Sequence, residues 1–218
     1  MVPARYSRFL PSRPIITASD VPHAGTLRIA IGSIVTPAAR ELAVARGVTI
    51  KEVPANEVTQ LAPPELTVAL GSDHGGFGMK RALLPIFAEV GLTVRDVGVY
   101  EEMPADYPDI AVAVAMLVHE GAATRGVLID GAGIGSAMAA NKVPGVRAAL
   151  CYDVASARNS REHNDANVLT LGGRLLTFTQ AENVLRTWLA TAFGGGRHAA
   201  RVEKIMAIEQ RFRRAATE

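Results

Sequence analysis

The feature of this sequence that most constrains its fold is a regular alternation of strand-like and helix-like segments from residue 66 onward. Short runs rich in Val, Ile and Leu predict buried strands, and longer segments with apolar residues at helical spacing separate them. The predicted strands cover residues 67–71, 92–97, 126–129, 147–151 and 168–171, and the predicted helices cover residues 77–90, 109–120, 136–141, 153–163 and 180–193. This alternation predicts an α/β fold with a doubly wound parallel sheet.

A smaller β-α-β pattern precedes the alternating region. Residues 26–31 and 48–53 are predicted strands, and residues 38–46 between them are a predicted helix. Thr36 supplies an N-cap and Pro37 a first-turn proline, which are residue types that begin helices. A lobe of about thirty residues is too small to bury a core of its own, so it must rest on the main domain or on a partner.

Proline-rich stretches flank this small lobe. Residues 1–25 contain four prolines and little periodicity, which is typical of a loosely ordered arm, and residues 54–65 have the composition of a linker. We therefore divide the chain into an accessory N-terminal extension, residues 1–65, and a main domain, residues 66–218.

Composition excludes several classes of partner. The sequence has 23 Lys and Arg against 21 Asp and Glu, which is too even a balance for the field of a nucleic-acid-binding protein. The longest apolar run, residues 110–118, is too short to span a bilayer. Cys151 is the only cysteine, which favours a reducing compartment. We expect a cytoplasmic protein that binds neither nucleic acid nor membranes.

Polar residues follow the predicted strands, at the edge where doubly wound sheets bind ligands. Asp73 and His74 follow the first strand of the main domain. Asp73 could orient or stabilise a group that transfers a proton, and His74 could contact an anion. The alternative is that Asp73 only caps the next helix. Asp130 ends the third strand and precedes a glycine-rich turn. The backbone amides of this turn suit an oxyanion or a phosphate, and the alternative is a tight turn without a ligand. Its spacing does not match a dinucleotide fingerprint. The glycines of this turn are Gly131, Gly133 and Gly135.

Two later segments carry further candidates. His163 is a candidate acid or base and Asn164 a candidate hydroxyl binder at the end of a predicted helix, where the alternative is a solvated helix terminus. Arg197 and Arg201 lie four residues apart, so both face the same side of the last predicted helix, residues 198–213. Cations at a helix start are unfavourable unless an anion binds there, so these arginines favour a phosphate site.

Taken together, these segments resemble the ribose-5-phosphate isomerase B and galactose-6-phosphate isomerase family. The motifs occur in the family order over roughly residues 66–210. They are GSDHGGFGMK at 71–80, DYP at 106–108, GAGIG at 131–135, AANKVPGVR at 139–147, REHNDAN at 161–167, GGR at 172–174 and GGRHAAR at 195–201.

The resemblance implies a Rossmann-like domain, a sugar-phosphate substrate and no cofactor. It implies that His163 opens the sugar ring, with Asp73 as its polar neighbour at the sugar, and that the amides of residues 131–135 hold the developing enediolate. The phosphate contacts implied are His74, Arg174, Arg197 and Arg201, and the sugar contacts are Tyr107 and Asn164.

The sequence departs from the family pattern at the base. Many members have a cysteine where this chain has Asp130, and others use a glutamate where it has Ser136. Ala132 also replaces a residue that commonly bears a hydroxyl. Asp130 is the titratable side chain left at this point of the loop, so we predict that it is the base for proton transfer between C2 and C1.

Several alternatives stay open at this level. Ribose 5-phosphate is the expected substrate, but four-carbon sugar phosphates such as erythrose 4-phosphate and six-carbon allose or galactose 6-phosphates also fit, as does a sugar-phosphate binder without activity. A hydride-shift isomerase would need a metal ion, and Asp73, His74 and His163 make at best a forced ligand set.

The resemblance also implies partners. Two chains build each active site in the family, so we expect a homodimer or a dimer of dimers, and the apolar residues of the last predicted helix are expected to pack on a neighbouring subunit. Residues 35–42 are similar to short segments of bacterial microcompartment enzymes, which suggests such an association through the extension. The alternative is a lobe that only stabilises the oligomer.

Overall fold

The computed structural model describes residues 15–16, 21–22, 25–54 and 67–214. The chain divides into two compact units, Met1–Pro63 and Pro64–Glu218. Most of the predicted arm and nearly all of the predicted linker lie outside the described residues.

In the first unit a helix connects two parallel strands, as the sequence predicts. Its elements are β1 (Ile15–Ile16), β2 (Thr26–Ala30), β3 (Ile34–Val35), α1 (Pro37–Ala45) and β4 (Thr49–Val53). Strands β2 and β4 pair in parallel, and so do the two short strands β1 and β3. The Thr36 hydroxyl accepts the amide hydrogen of Ala39 at 3.3 Å, so the predicted N-cap is present.

The second unit is a five-stranded parallel sheet with helices on both faces, which confirms the predicted fold class. Its strands are β5 (Thr67–Ser72), β6 (Thr93–Asp96), β7 (Arg125–Asp130), β8 (Ala148–Leu150) and β9 (Val168–Gly172). Its helices are α2 (Phe77–Glu89), α3 (Tyr107–His119), α4 (Ile134–Ala140), α5 (Val154–Glu162), α6 (Phe178–Ala190) and α7 (Arg197–Arg214). The strand order is β6-β5-β7-β9-β8.

The alternation of side chains along the central strands builds two cores. Val127 and Ile129 of β7 face one core with α2, α5 and α6, whereas Leu128 faces the other core with α3 and α4. Neighbouring side chains of a strand point to opposite faces, so the consecutive apolar residues at positions 127–129 of β7 serve both layers. This explains why the strand is a continuous apolar run in the sequence.

Three helix starts lie two residues before the predicted ones because of local capping. Helix α6 begins at Phe178 rather than Gln180, since the hydroxyl of Thr177 accepts the amide hydrogen of Gln180 as an N-cap. Helix α4 begins at Ile134 rather than near Ser136, since the side chain of Asp130 accepts amide hydrogens from this turn and takes the place of an N-cap. Helix α3 begins at Tyr107 rather than Asp109, because Pro108 fits the first turn of a helix.

The turn before α2 gives a test of the close packing that the fold requires. A Cβ atom added to Gly76 would meet the backbone carbonyl group of Ile129. We therefore expect Gly76→Ala to lower the free energy of unfolding by about 1–3 kcal/mol through overpacking. Gly78→Ala is the matched control, because a Cβ atom there has nothing within 4 Å and alanine favours the helix. Denaturant unfolding measures both, and equal stabilities would contradict this packing.

Candidate active site

Three turns that follow β5, β7 and β9 meet at the carboxyl edge of the sheet. A Cβ atom on Gly75 would lie 3.1 Å from the amide nitrogen of Gly131, and one on Gly173 would lie 3.0 Å from Cα of Gly76. The amide of Gly173 also donates to the carbonyl oxygen of Asp130 at 2.7 Å. Glycine backbones thus let the turns approach within contact distance and bring their polar side chains to one place.

The carboxylate of Asp130 lies buried at the centre of this edge. Its Oδ1 accepts the amide hydrogen of Ala132 at 2.8 Å and also that of Gly133, and its Oδ2 accepts that of Ser136 at 2.9 Å. Each carboxylate oxygen has two lone pairs. One lone pair of Oδ2 is therefore left for another partner, while three amides of the loop are already committed to Asp130.

Asp73 is also buried at this edge. Its Oδ1 accepts the amide hydrogen of Gly76 at 2.9 Å, so it does cap the turn into α2. Within the part of the chain that the structure describes, its Oδ2 accepts no hydrogen bond. The capping role and a role toward a ligand are therefore compatible, because each uses a different oxygen.

Further predicted site residues surround these two carboxylates. The ring of Tyr107 lies against Gly135, where an added Cβ atom would be 2.5 Å from Cζ. The side chain of Arg174 passes over Gly131, and His74 is exposed on the turn after β5. We name this set the carboxyl-edge cluster: Asp73, His74, Tyr107, Asp130, Gly131, Gly133, Gly135 and Arg174.

His163 and Asn164 lie at the opposite edge of the sheet. They follow α5 and precede β9, and β9 begins where Val168 pairs with Gly126, whereas Asp130 pairs with Gly172. Four residue steps along a parallel strand are about 13 Å. The structure therefore does not bring His163 beside Asp73 or Asp130 within one chain.

The start of α7 joins His163 at this amino edge. The rings of His163 and His198 are stacked, with centroids 4.1 Å apart and an interplanar angle of 6°. The side-chain amide of Asn159 lies 2.8 Å from Nδ1 of His163. Nε2 lies 3.8 Å from the carboxylate of Glu162, beyond hydrogen-bond distance, so it is the ring nitrogen that can still accept or donate a hydrogen bond to a ligand. We name the second set the amino-edge cluster: His163, Asn164, Arg197, His198 and Arg201.

His198 is a buried imidazole among positive charges. Its burial lowers its pKa from the ordinary value, and electrostatic repulsion from the neighbouring His163, Arg197 and Arg201 lowers the pKa further, against a smaller opposing effect of Glu162. Its Nδ1 is buried without a hydrogen-bond partner in the described chain. The lowered pKa favours the neutral form of the ring, and Arg197 and Arg201 carry permanent positive charge in this cluster.

A double ion pair fixes the turn that carries His163 and Asn164. The carboxylate of Asp165 accepts from Arg147 at 3.0 Å and from Arg161 at 2.9 Å. Asp165 has a φ angle of 47°, a left-handed conformation that is uncommon outside glycine. Because two arginines hold its side chain, the turn keeps this conformation and presents its two polar residues in a fixed direction.

One face of α7 borders an open groove. This groove has a volume of about 630 Å³ and lies between α7 and the end of α4, β8 and α5. Ile205, Ile208 and Phe212 line it and stay exposed, and Asn164 of the amino-edge cluster lies in its wall. An apolar groove next to site residues is typical of a surface that another molecule covers.

The described residues contain neither a cluster of metal-ligating side chains nor a helix that could span a membrane. Among residues 15–16, 21–22, 25–54 and 67–214, no three His, Cys, Asp or Glu side chains converge as metal ligands would. In the same described residues, every helix is too short or too polar to cross a bilayer.

Comparison with known proteins identifies the class. Residues 68–205 match the model of the ribose/galactose isomerase family. The chain belongs to this family and is an isomerase, as its motifs indicate. It is 43% identical over 144 residues to ribose-5-phosphate isomerase B of Escherichia coli, covering 66% of this chain and 97% of that protein.

Two further proteins are similar to this chain, one in sequence and one in both sequence and structure. The chain is 39% identical over 144 residues to D-erythrulose-4-phosphate isomerase of Pectobacterium atrosepticum, covering 64% of this chain and 93% of that protein. The solved ribose-5-phosphate isomerase B of Clostridium thermocellum superimposes with a TM-score of 0.66 at 46% identity, covering 67% of this chain and 99% of that one. The match confirms the Rossmann-like fold.

Sequence reasoning did not assign roles to two residues that the structure places at these clusters. His198 lies between the two predicted phosphate arginines, and its stacking on His163 depends on a contact between α5 and α7 that no local pattern shows. Tyr152 is the second residue after β8, and its hydroxyl reaches the glycine loop at the carbonyl oxygen of Ala132. The rule that selected Asp73 and Asp130, a polar residue just after a strand, would have selected Tyr152 too.

Proposed function

We propose that this isomerase interconverts ribose 5-phosphate and ribulose 5-phosphate by proton transfer through a cis-enediol. The observation that carries the proposal is the buried carboxylate of Asp130, held in a glycine loop beside the buried carboxylate of Asp73. The names of the relatives from E. coli and C. thermocellum support the five-carbon substrate.

In this reaction Asp130 takes the proton from C2 of the open-chain aldose. The C2–H electron pair becomes the C1=C2 double bond, and O1 receives the negative charge of the former carbonyl. A proton then passes from O2 to O1, and Asp130 returns its proton to C1, which gives the ketose. We assign the transfer to Oδ2, because it accepts one amide hydrogen bond whereas Oδ1 accepts two.

The glycine loop stabilises the enediolate with only part of its amides. The amide of Gly133 is committed to Asp130, so it is not available to the substrate oxygens. The amides of Gly131 and Gly135 have no acceptor within the described residues. We assign oxyanion stabilisation to these two amides, with Tyr107 beside them toward the sugar.

The amino-edge cluster supplies the remaining roles. We assign ring opening to Nε2 of His163 and a sugar hydroxyl contact to Asn164. Arg197 and Arg201 are exposed at the start of α7, where the helix dipole adds to their attraction for a phosphate. His74 and Arg174 contact the phosphate from the carboxyl edge.

A four-carbon sugar phosphate is the second candidate substrate. The identity of 39% to the D-erythrulose-4-phosphate isomerase of P. atrosepticum favours it. Six-carbon sugar phosphates and binding without turnover are the further outcomes that a substrate panel distinguishes.

The panel and one variant test the proposal together. The purified chain is expected to convert ribose 5-phosphate with a higher kcat/KM than four-carbon or six-carbon sugar phosphates. Asp130→Asn is expected to lower kcat by about a hundredfold or more, because the amide keeps the size and loses the base. Asp109→Asn, at an exposed carboxylate of α3, is the matched control. Turnover of Asp130→Asn within tenfold of the parent would remove Asp130 as the base.

A complete site of this kind needs two chains, and we propose a homodimer that pairs the carboxyl-edge cluster of one chain with the amino-edge cluster of the other. The separation of Asp130 and His163 across the sheet supports this arrangement. The exposed apolar residues of α7, with Ile134 and Met138 exposed on α4, offer surface for the contact.

Mixing two inactive variants tests the shared site. When Asp130→Asn and His163→Ala chains exchange freely, about half of the dimers are hybrids, and each hybrid has one intact site. The expected activity is therefore about a quarter of the parent value. Asp130→Asn mixed with Asp73→Asn is the control, since both changes fall in the same cluster and no intact site forms. Equal activity in the two mixtures would contradict a site shared between chains.

We propose that residues 1–65 are accessory to the isomerase domain, residues 66–218, and that the enzyme acts in the cytoplasm. No residue of either cluster lies in the first unit, and E. coli ribose-5-phosphate isomerase B is matched over 97% of its length by 66% of this chain. Association with a microcompartment through residues 35–42 would use a lobe on which Ile31, Ile34 and Val44 are exposed.

Removal of residues 1–65 tests the accessory role. The truncated chain is expected to keep kcat and KM for ribose 5-phosphate within about threefold of the parent, because both clusters are retained. Steady-state kinetics measure this, and size-exclusion chromatography checks that the assembly is unchanged. A folded truncation with parental assembly and no turnover would mean that the extension takes part in the reaction.

A further inference from the structure

The hydroxyl of Tyr152 makes a hydrogen bond to the glycine loop that no assigned role explains. It donates to the carbonyl oxygen of Ala132 at 2.7 Å. Tyr152 follows β8 at the carboxyl edge, and its side chain is 37% exposed. The contact therefore joins the end of a different strand to the loop that surrounds Asp130.

The peptide bond between Ala132 and Gly133 transmits this contact to Asp130. A trans peptide group is planar, so its carbonyl oxygen and its amide hydrogen point in opposite directions. Tyr152 holds the carbonyl oxygen, and Oδ1 of Asp130 accepts the amide hydrogen on the other side. The direction of the Gly133 amide is thus fixed from both ends of one rigid group.

A glycine at position 133 leaves this peptide group more conformational freedom than another residue would. Gly133 has a φ angle of 78°, and glycine populates both signs of φ at little cost, so the loop itself does not fix the orientation. The carbonyl of Ala132 also passes Gly172 so closely that an added Cβ atom there would lie 2.8 Å from its oxygen. Tyr152 is the side chain that anchors this carbonyl.

We propose that Tyr152 is a positioning residue for the base: it orients the Ala132–Gly133 peptide so that the Gly133 amide holds Oδ1 of Asp130 and Oδ2 faces the substrate. This inference rests on the proposed function, in which Asp130 is the base. Loss of the hydroxyl leaves the carbonyl of Ala132 unpaired, frees the amide of Gly133 to turn away and lets the carboxylate rotate.

Tyr152→Phe tests the inference, because it removes the hydroxyl and keeps the ring. We expect kcat for ribose 5-phosphate to fall about threefold to tenfold, the effect of one hydrogen bond, and KM to stay within about twofold. Hydrogen exchange at the Gly133 amide, followed by NMR, is expected to become faster. Tyr100→Phe is the matched control, since Tyr100 donates a similar bond to the carbonyl of Asp96 at 2.9 Å, away from the loop. It is expected to leave both measurements unchanged.

The outcomes separate this inference from the proposed function. Parental kcat in Tyr152→Phe, with Asp130→Asn inactive, would overturn the role of Tyr152 and leave Asp130 as the base. Unchanged exchange at Gly133 would overturn the claim that the hydroxyl orients this peptide, whatever the activity. An active Asp130→Asn enzyme would instead refute the assignment of the base, and the positioning role with it.

Discussion

The carboxylate of Asp130 organises the loop on which the carboxyl edge of this protein depends. It accepts three backbone amide hydrogens within six residues of its own position, and these bonds start α4 without a side chain at the N-cap. The turns after β5 and β9 then pack against the same loop at Gly75 and Gly173. The buried carboxylate of Asp130 is thus hydrogen-bonded by the same loop backbone whose conformation it fixes. These hydrogen bonds offset the cost of removing a polar group from water.

The fold could be read from the sequence because its signals are local and repeated. The strands of the main sheet other than β6 contain a short apolar run, and the segments between strands have helical spacing, so the order of elements follows directly. Among the boundaries that differed, the helix starts at Ile134 and Tyr107 depend on contacts in the first turn whose geometry no pattern shows. The pairing of β1 with β3 was not predicted either, because a two-residue strand has no periodicity to detect.

The structure shows where the predicted site residues lie, and the sequence predicted only part of that arrangement. Asp73 and Asp130 end strands, and the structure places both at the carboxyl edge. His163 ends a helix, and a helix in this fold runs back toward the amino ends of the strands, so the alternation itself places His163 at the other edge. The hydrogen bonds of Asp130 could not be predicted from the sequence, because they depend on backbone angles such as the φ angle of Gly133.

The position of the two clusters on opposite edges has a consequence for newly made protein. Under the two-chain site, a chain that has just left the ribosome is folded and yet has no complete catalytic apparatus. Below the dissociation constant of the dimer, turnover would rise with the second power of the chain concentration. The cell would then gain activity only after enough copies accumulate to meet, so the timing of expression becomes a control on flux.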